Sequence, residues 1–138
     1  NLKIDDKTAA AYLVMLSETG LVEMIYPAET GNQSLRKPEK VFFNNTNLHY
    51  ALSSHLTFEV DIGTIRELAF VQATKNAGLM VSHNKHAGYQ IENIIFEIGG
   101  KNISRKQIQG QKDAYLVKDD ITVATQGCIP LIYFGFLY

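Results

Sequence analysis

Glu97, Lys101 and Glu67 are the residues of this chain whose types and placement could do chemistry. Glu97 lies in the apolar run Ile95-Phe96-Glu97-Ile98, which breaks at Gly99-Gly100 just before Lys101. A carboxylate and a lysine leaving the end of a core strand can act together on a phosphodiester. Hard oxygen ligands converge on Mg²⁺, and the lysine positions or polarises the attacking water. Glu67, on the best-marked helix of the chain, supplies a second carboxylate. The lysine of such a centre belongs two residues after the strand carboxylate, where both side chains leave the same face. Here that position is Gly99, and Lys101 comes two residues later. A continuing strand would keep Lys101 on the face of Glu97, but the glycine pair is expected to bend the chain first.

Each residue also has a plainer reading. Glu67 stands three residues after Thr64, the spacing of a capping box that satisfies the first amides of a helix. An unpaired charge in an apolar strand is costly, so Glu97 could pair with Lys101 or Arg66 as readily as bind a metal. The glycines could serve only a bulge or a tight bend. Lys101, Arg105, Lys106 and Lys112 form a local basic cluster that could receive backbone phosphates near Glu97, or could be a solvated surface. His83 and His86 flank an expected β-turn and read as surface residues, while His49 and His55 have no partner that suggests catalysis. Cys128, before Ile129-Pro130, reads as a packed thiol.

The elements that must position these residues fit within one ordinary domain, or two small ones sharing a core, in 138 residues. An apolar fraction of 46% and a charged fraction of 20% are those of a soluble globular protein. The formal net charge of −1 gives no global pull toward nucleic acid or an anionic membrane, so any basic surface must be local. The single cysteine excludes an internal disulfide framework and a cysteine-rich zinc site, and fits a reducing cytosol. The longest apolar run, 129–138, is too short to span a bilayer and contains Pro130 and Gly135. No membrane role is expected.

Along the chain, Asp6 can cap a helix through Ala9, Tyr12, Leu13 and Leu16, closed by Gly20 with Leu21 as hydrophobic partner. Strands are expected at 21–26 and 40–43, joined by a turn-rich loop over 28–34. Asn45-Thr46-Asn47 can cap a short helix through Leu48 and Leu52. The helix opened by Thr64 carries the stripe Ile65, Leu68, Ala69 and Ala73 and ends at Gly78. Strands follow at 79–82, 89–91 and 94–98, then a short helix at 103–108, then strands at 114–117 and 121–123. The first block, 1–45, reads as the closing half of a winged helix. In the second, 46–138, the order helix, three strands, helix, strand is that of an α/β restriction-endonuclease-like (PD-(D/E)XK-type) core.

The run from Leu35 to Leu48, LRKPEKVFFNNTNL, resembles the L-x-K-P-x-K-(I/V)-(Y/F)-x-N-x-N-L junction of a bacterial and archaeal AAA+ ATPase family. Gly63-Thr64-Ile65-Arg66-Glu67, the stretch from Phe96 to Asn102 and the ending from Ile129 to Tyr138 are similar as well, and the order is kept over nearly the whole chain. In that family an ATPase is followed by a winged-helix segment and a C-terminal domain with a nuclease-like fold. The resemblance implies that Tyr138 is the natural C-terminus and that the ATPase precedes Asn1. ATP would belong only to that N-terminal part, since no G-x-x-x-x-G-K-[ST] loop occurs here. Relatives often carry Gly-Asp on the second strand, where this chain reads Gly88-Tyr89, and a tyrosine is no ordinary Mg²⁺ ligand.

These readings imply a cytoplasmic accessory or regulatory module of an AAA+ ATPase. Its partners would be the N-terminal ATPase domain of the same protein and, on its basic side, nucleic acid. The wing side, with Arg36, Lys37 and Lys40, is the more basic part of the first block. Two alternatives belong to other classes. One is a Mg²⁺-dependent nuclease using Glu67, Glu97 and Lys101, with Glu67 and Glu97 as metal ligands. The other is a pure interaction or oligomerisation module.

Overall fold

A computed structural model describes residues 4–28, 37–85 and 87–137. Arg36, His86 and Tyr138, and most of the turn-rich loop, lie outside the described residues. Helix α1 (Asp6–Glu18) is capped one residue earlier than expected, because Asp5 rather than Asp6 accepts the free amides of Lys7 and Thr8 at 2.9 and 3.0 Å. Gly20 closes it in the left-handed conformation at φ +73°, with the Leu21 amide returning to the Leu16 carbonyl at 2.9 Å. No α1 residue is buried.

Strands β1 (Val22–Ile25) and β2 (Lys40–Phe43) form an antiparallel hairpin in which Ile25 faces Lys40. Helix α2 (Thr46–Leu56) starts from Asn45, whose side chain accepts the Leu48 amide at 2.8 Å. Helix α3 (Ile62–Asn76) starts earlier than the expected box, because its cap is Asp61 and not Thr64. Asp61 takes both the Thr64 amide and the Thr64 hydroxyl at 2.8 Å. Thr64 therefore lies inside the helix, and Glu67 is released from any capping duty.

A five-stranded sheet follows in the spatial order β3 (Val81–His83), β4 (Tyr89–Ile91), β5 (Ile94–Gly99), β6 (Ala114–Lys118), β7 (Cys128–Pro130). The first three pair antiparallel and the last three parallel. The architecture is mixed α/β. Strand β3 starts two residues later than expected, and no strand forms at 121–123, where Val123 is 70% exposed. The expected short helix is a 3-10 turn over Arg105–Ile108.

Alternation along β5 divides its side chains between two faces. Phe96 and Ile98 join Tyr89, Val117, Leu68, Phe70, Val71 and Phe134 in the larger core under α3. Ile95 packs with Leu116, Cys128 and Ile108 on the other face. The larger core also takes in Ile25 and Phe42 of the hairpin, so buried contacts cross position 45. The hairpin is joined to the sheet by backbone as well: the His83 amide donates to the Tyr26 carbonyl and the Ala28 amide to the His83 carbonyl, both at 2.8 Å. A last 3-10 segment, Leu131–Phe136, buries Phe134 in the larger core, with Leu131 partly buried against it. Among the described residues no helix is long and apolar enough to cross a membrane.

Candidate functional site

Glu67 projects from the second turn of α3, and one of its oxygens takes two donors from distant parts of the chain. Oε2 accepts from the Lys40 ammonium at 2.6 Å and from the Tyr89 hydroxyl at 2.8 Å. Lys40 and Glu67 are each 28% exposed at the side chain, so the pair is shielded without being sealed. The Lys40 ammonium also lies 5.0 Å from the centroid of the Tyr89 ring, within cation–π range. Tyr89 is wholly buried. Burial first, then the Glu67 charge and the hydrogen bond to it, push the phenol far above its ordinary range, so it stays a neutral donor.

Glu97 belongs to the same electrostatic neighbourhood. Burial raises its carboxyl above the ordinary glutamate value, the Glu67 charge adds to the rise, and Lys40 opposes it. It accepts no hydrogen bond from the described residues, and neither candidate partner reaches it. Arg66 turns instead to Asp119 at 2.9 Å and Asp120 at 3.4 Å. Lys101 is exposed, and its carbonyl accepts from Lys118 Nζ at 3.2 Å. Neither Glu97 ion pair forms. Strand β5 also does not break before the glycines: Gly99 remains paired with Lys118, and the chain turns only from Gly100.

The glycines have specific neighbours. A Cβ on Gly88, at φ +52°, would stand 2.8 Å from a Glu97 oxygen and 2.7 Å from the Phe96 carbonyl. A Cβ on Gly100 would press on the Arg66 guanidinium at 3.1 Å, and one on Gly99 would collide with Ile103. The glycine pair thus admits Arg66 and Ile103 against the end of β5.

His83 is half-buried, not a surface residue as its turn-like context suggests. Its Nδ1 is buried without a hydrogen-bond partner. Burial lowers the pKa of the ring, and the Lys40 charge lowers it further, against the opposing influence of Glu39 and Glu67. His83, Lys40 and Tyr89 therefore all belong to the neighbourhood of Glu67, although sequence reading attached neither His83 nor Lys40 to it. Tyr89 had a signal, standing where a ligand aspartate is expected. Lys40 had none, because 27 positions separate it from Glu67.

The four basic residues are all exposed, but they do not share one hollow. Lys101 lines a cavity of about 550 Å³ together with Arg66, Asn102, Ser104, Gln107 and Asp120. Arg105 and Lys106 line a separate one, and the Arg105 guanidinium donates to the Gln126 carbonyl.

The donor set around Glu67 does not fit Mg²⁺, which binds through carboxylates and retained waters in near-octahedral geometry. One of the two Glu67 oxygens, Oε2, already carries an ammonium and a hydroxyl, and the ammonium repels a divalent ion. No group of three or more His, Cys, Asp or Glu residues suited to a metal occurs among the described residues. Comparison of the chain with models of known families, with curated proteins and with solved structures finds no match.

Proposed function

We propose that this chain is a non-catalytic accessory module with a restriction-endonuclease-like core and a winged-helix hairpin, serving as the C-terminal part of a cytoplasmic AAA+ ATPase. The observation that carries this reading is the double occupation of Glu67 Oε2 by Lys40 and Tyr89. A carboxylate oxygen held by two donors of its own chain supports a structural joint over a metal ligand. The third member of the nuclease set, Lys101, supports the same reading, since its neighbours are Arg66 and Ser104 and not the two glutamates.

A protein partner is supported by α1. That helix buries nothing and presents Tyr12, Val14, Met15 and Leu16 to solvent. Apolar side chains gathered on one exposed helix are the usual material of an interface. The buried free thiol of Cys128 is in keeping with a reducing compartment.

Two measurements test the reading. Incubation with plasmid and single-stranded DNA in Mg²⁺ should give no cleavage beyond that of an EDTA control. In the complete protein, Tyr12→Glu with Met15→Glu should change the rate of ATP hydrolysis. Metal-dependent cleavage abolished by Glu67→Gln would overturn the first half of the proposal, and an unchanged rate the second.

A further inference from the structure

We propose that the Lys40 ammonium is the resident cation of the Glu67 cluster, set there by the β1–β2 hairpin, and that it closes the cluster to divalent metal ions. The inference rests on the non-catalytic reading above and names the residue responsible for it.

The ammonium is held in place from the backbone outward. Its backbone is fixed by the pairing of Lys40 with Ile25 and by the bond from the Glu39 amide to the Ile25 carbonyl at 2.8 Å. That hairpin is joined in turn to β3 through Tyr26 and His83. The head group then meets the Glu67 oxygen at 2.6 Å and the Tyr89 ring at 5.0 Å. A charge-assisted hydrogen bond of this length belongs to the strong class.

The balance of charge favours one monovalent cation here. Lys40 and Glu67 carry opposite unit charges and meet at 2.6 Å. A divalent ion approaching the Glu67 carboxylate would meet an ammonium that repels it and that already holds one of the two oxygens. Removal of the Lys40 charge leaves the Glu67 carboxylate partly shielded, with the Tyr89 hydroxyl donating to Oε2. Mg²⁺ and Mn²⁺ are commonly held by one or two carboxylates with water completing the shell.

Mn²⁺ binding, followed by electron paramagnetic resonance and by thermal unfolding of the whole chain, tests this directly. Lys40→Met retains the apolar stem over Tyr89 while deleting the charge. It should bind Mn²⁺ at least about tenfold more tightly than the unsubstituted chain, a difference of about 1.4 kcal/mol, and Glu67→Gln added to it should abolish the gain. Should Lys40→Met be unfolded in EDTA, refolding on addition of Mn²⁺ would support the proposal equally. Equal Mn²⁺ affinity with and without Lys40, a gain that survives Glu67→Gln, or a variant that stays unfolded at every Mn²⁺ concentration would each overturn it. The readout is binding, so it is separate from the cleavage assay that tests the non-catalytic reading.

Discussion

Gly88 gives Glu97 its room: a methyl group on the glycine would stand 2.8 Å from a glutamate oxygen. The glycine also holds φ +52°, a conformation costly to any residue with a Cβ. Gly88→Ala should therefore destabilise the chain by about 1–3 kcal/mol, a typical cost of such backbone strain. Urea unfolding measures it. A loss no larger than that of an alanine in an ordinary loop would mean that the two residues are not in contact.

Lys40 and Glu67 can be weighed by a double-mutant cycle with Lys40→Met and Glu67→Gln. Their partial exposure places the pair between surface ion pairs and buried charged hydrogen bonds. The coupling energy should be about 1 kcal/mol. Additive losses in denaturant unfolding would show that the pair contributes only the packing of its stems.

Glu97 makes a statement about pH. Its folded-state pKa lies above the ordinary value because burial disfavours the charged form. The folded protein therefore binds the proton more tightly than the unfolded chain, and the associated stability is present at low pH and lost as pH rises through the folded-state value. Glu97→Gln removes that loss. The variant should gain stability relative to the parent as pH rises from about 4 toward about 8, as two parallel unfolding series would record. A constant difference across that range would contradict the assignment.

Arg66 ties the start of α3 to the turn after β6. Its side chain is 17% exposed and reaches Asp119 and Asp120 together. Arg66→Ala should cost about 1–3 kcal/mol, since charged hydrogen bonds of a shielded group are lost. Arg66→Lys should recover only part of this, because an ammonium cannot reproduce the planar fork that engages two carboxylates. Thermal unfolding of both variants separates the loss of charge from the loss of geometry.

Much of the frame was legible because it rests on local chemistry. Strand β2 lies at Lys40–Phe43, where its residues suggested, and Asn45 and Gly20 cap the helices they were expected to cap. The errors came where two local signals competed. Asp61 and Thr64 are both good cap residues three apart, and the aspartate captured the threonine as well as its amide. Ile121-Thr122-Val123 has strand composition, but the place beside β6 is taken by Cys128–Pro130.

The candidate site was harder to read. Glu67 and Glu97 were visible as carboxylates on a helix and a strand, and the structure does bring their charges within mutual influence. Lys101 was drawn in by sequence proximity, yet Gly100 and the turn after it carry that side chain to the Arg66 cavity. Lys40 was hidden for the opposite reason. Its partner depends on how the hairpin docks on α3, which no local pattern encodes.

The attachment of Tyr26 and Ala28 to His83 has a consequence for how this molecule meets others. An exposed edge strand offers unpaired amides and carbonyls on which a foreign strand can grow. At β3, both the amide and the carbonyl of His83 are already engaged by the segment following β1. At the opposite edge, the Cys128 amide and carbonyl both bond to Thr125 at 3.0 Å, and Pro130 has no amide to offer. Both margins of the sheet are blunted at these positions. A strand from another copy would have to displace these bonds before it could pair there, so the hairpin that delivers Lys40 also guards the β3 edge.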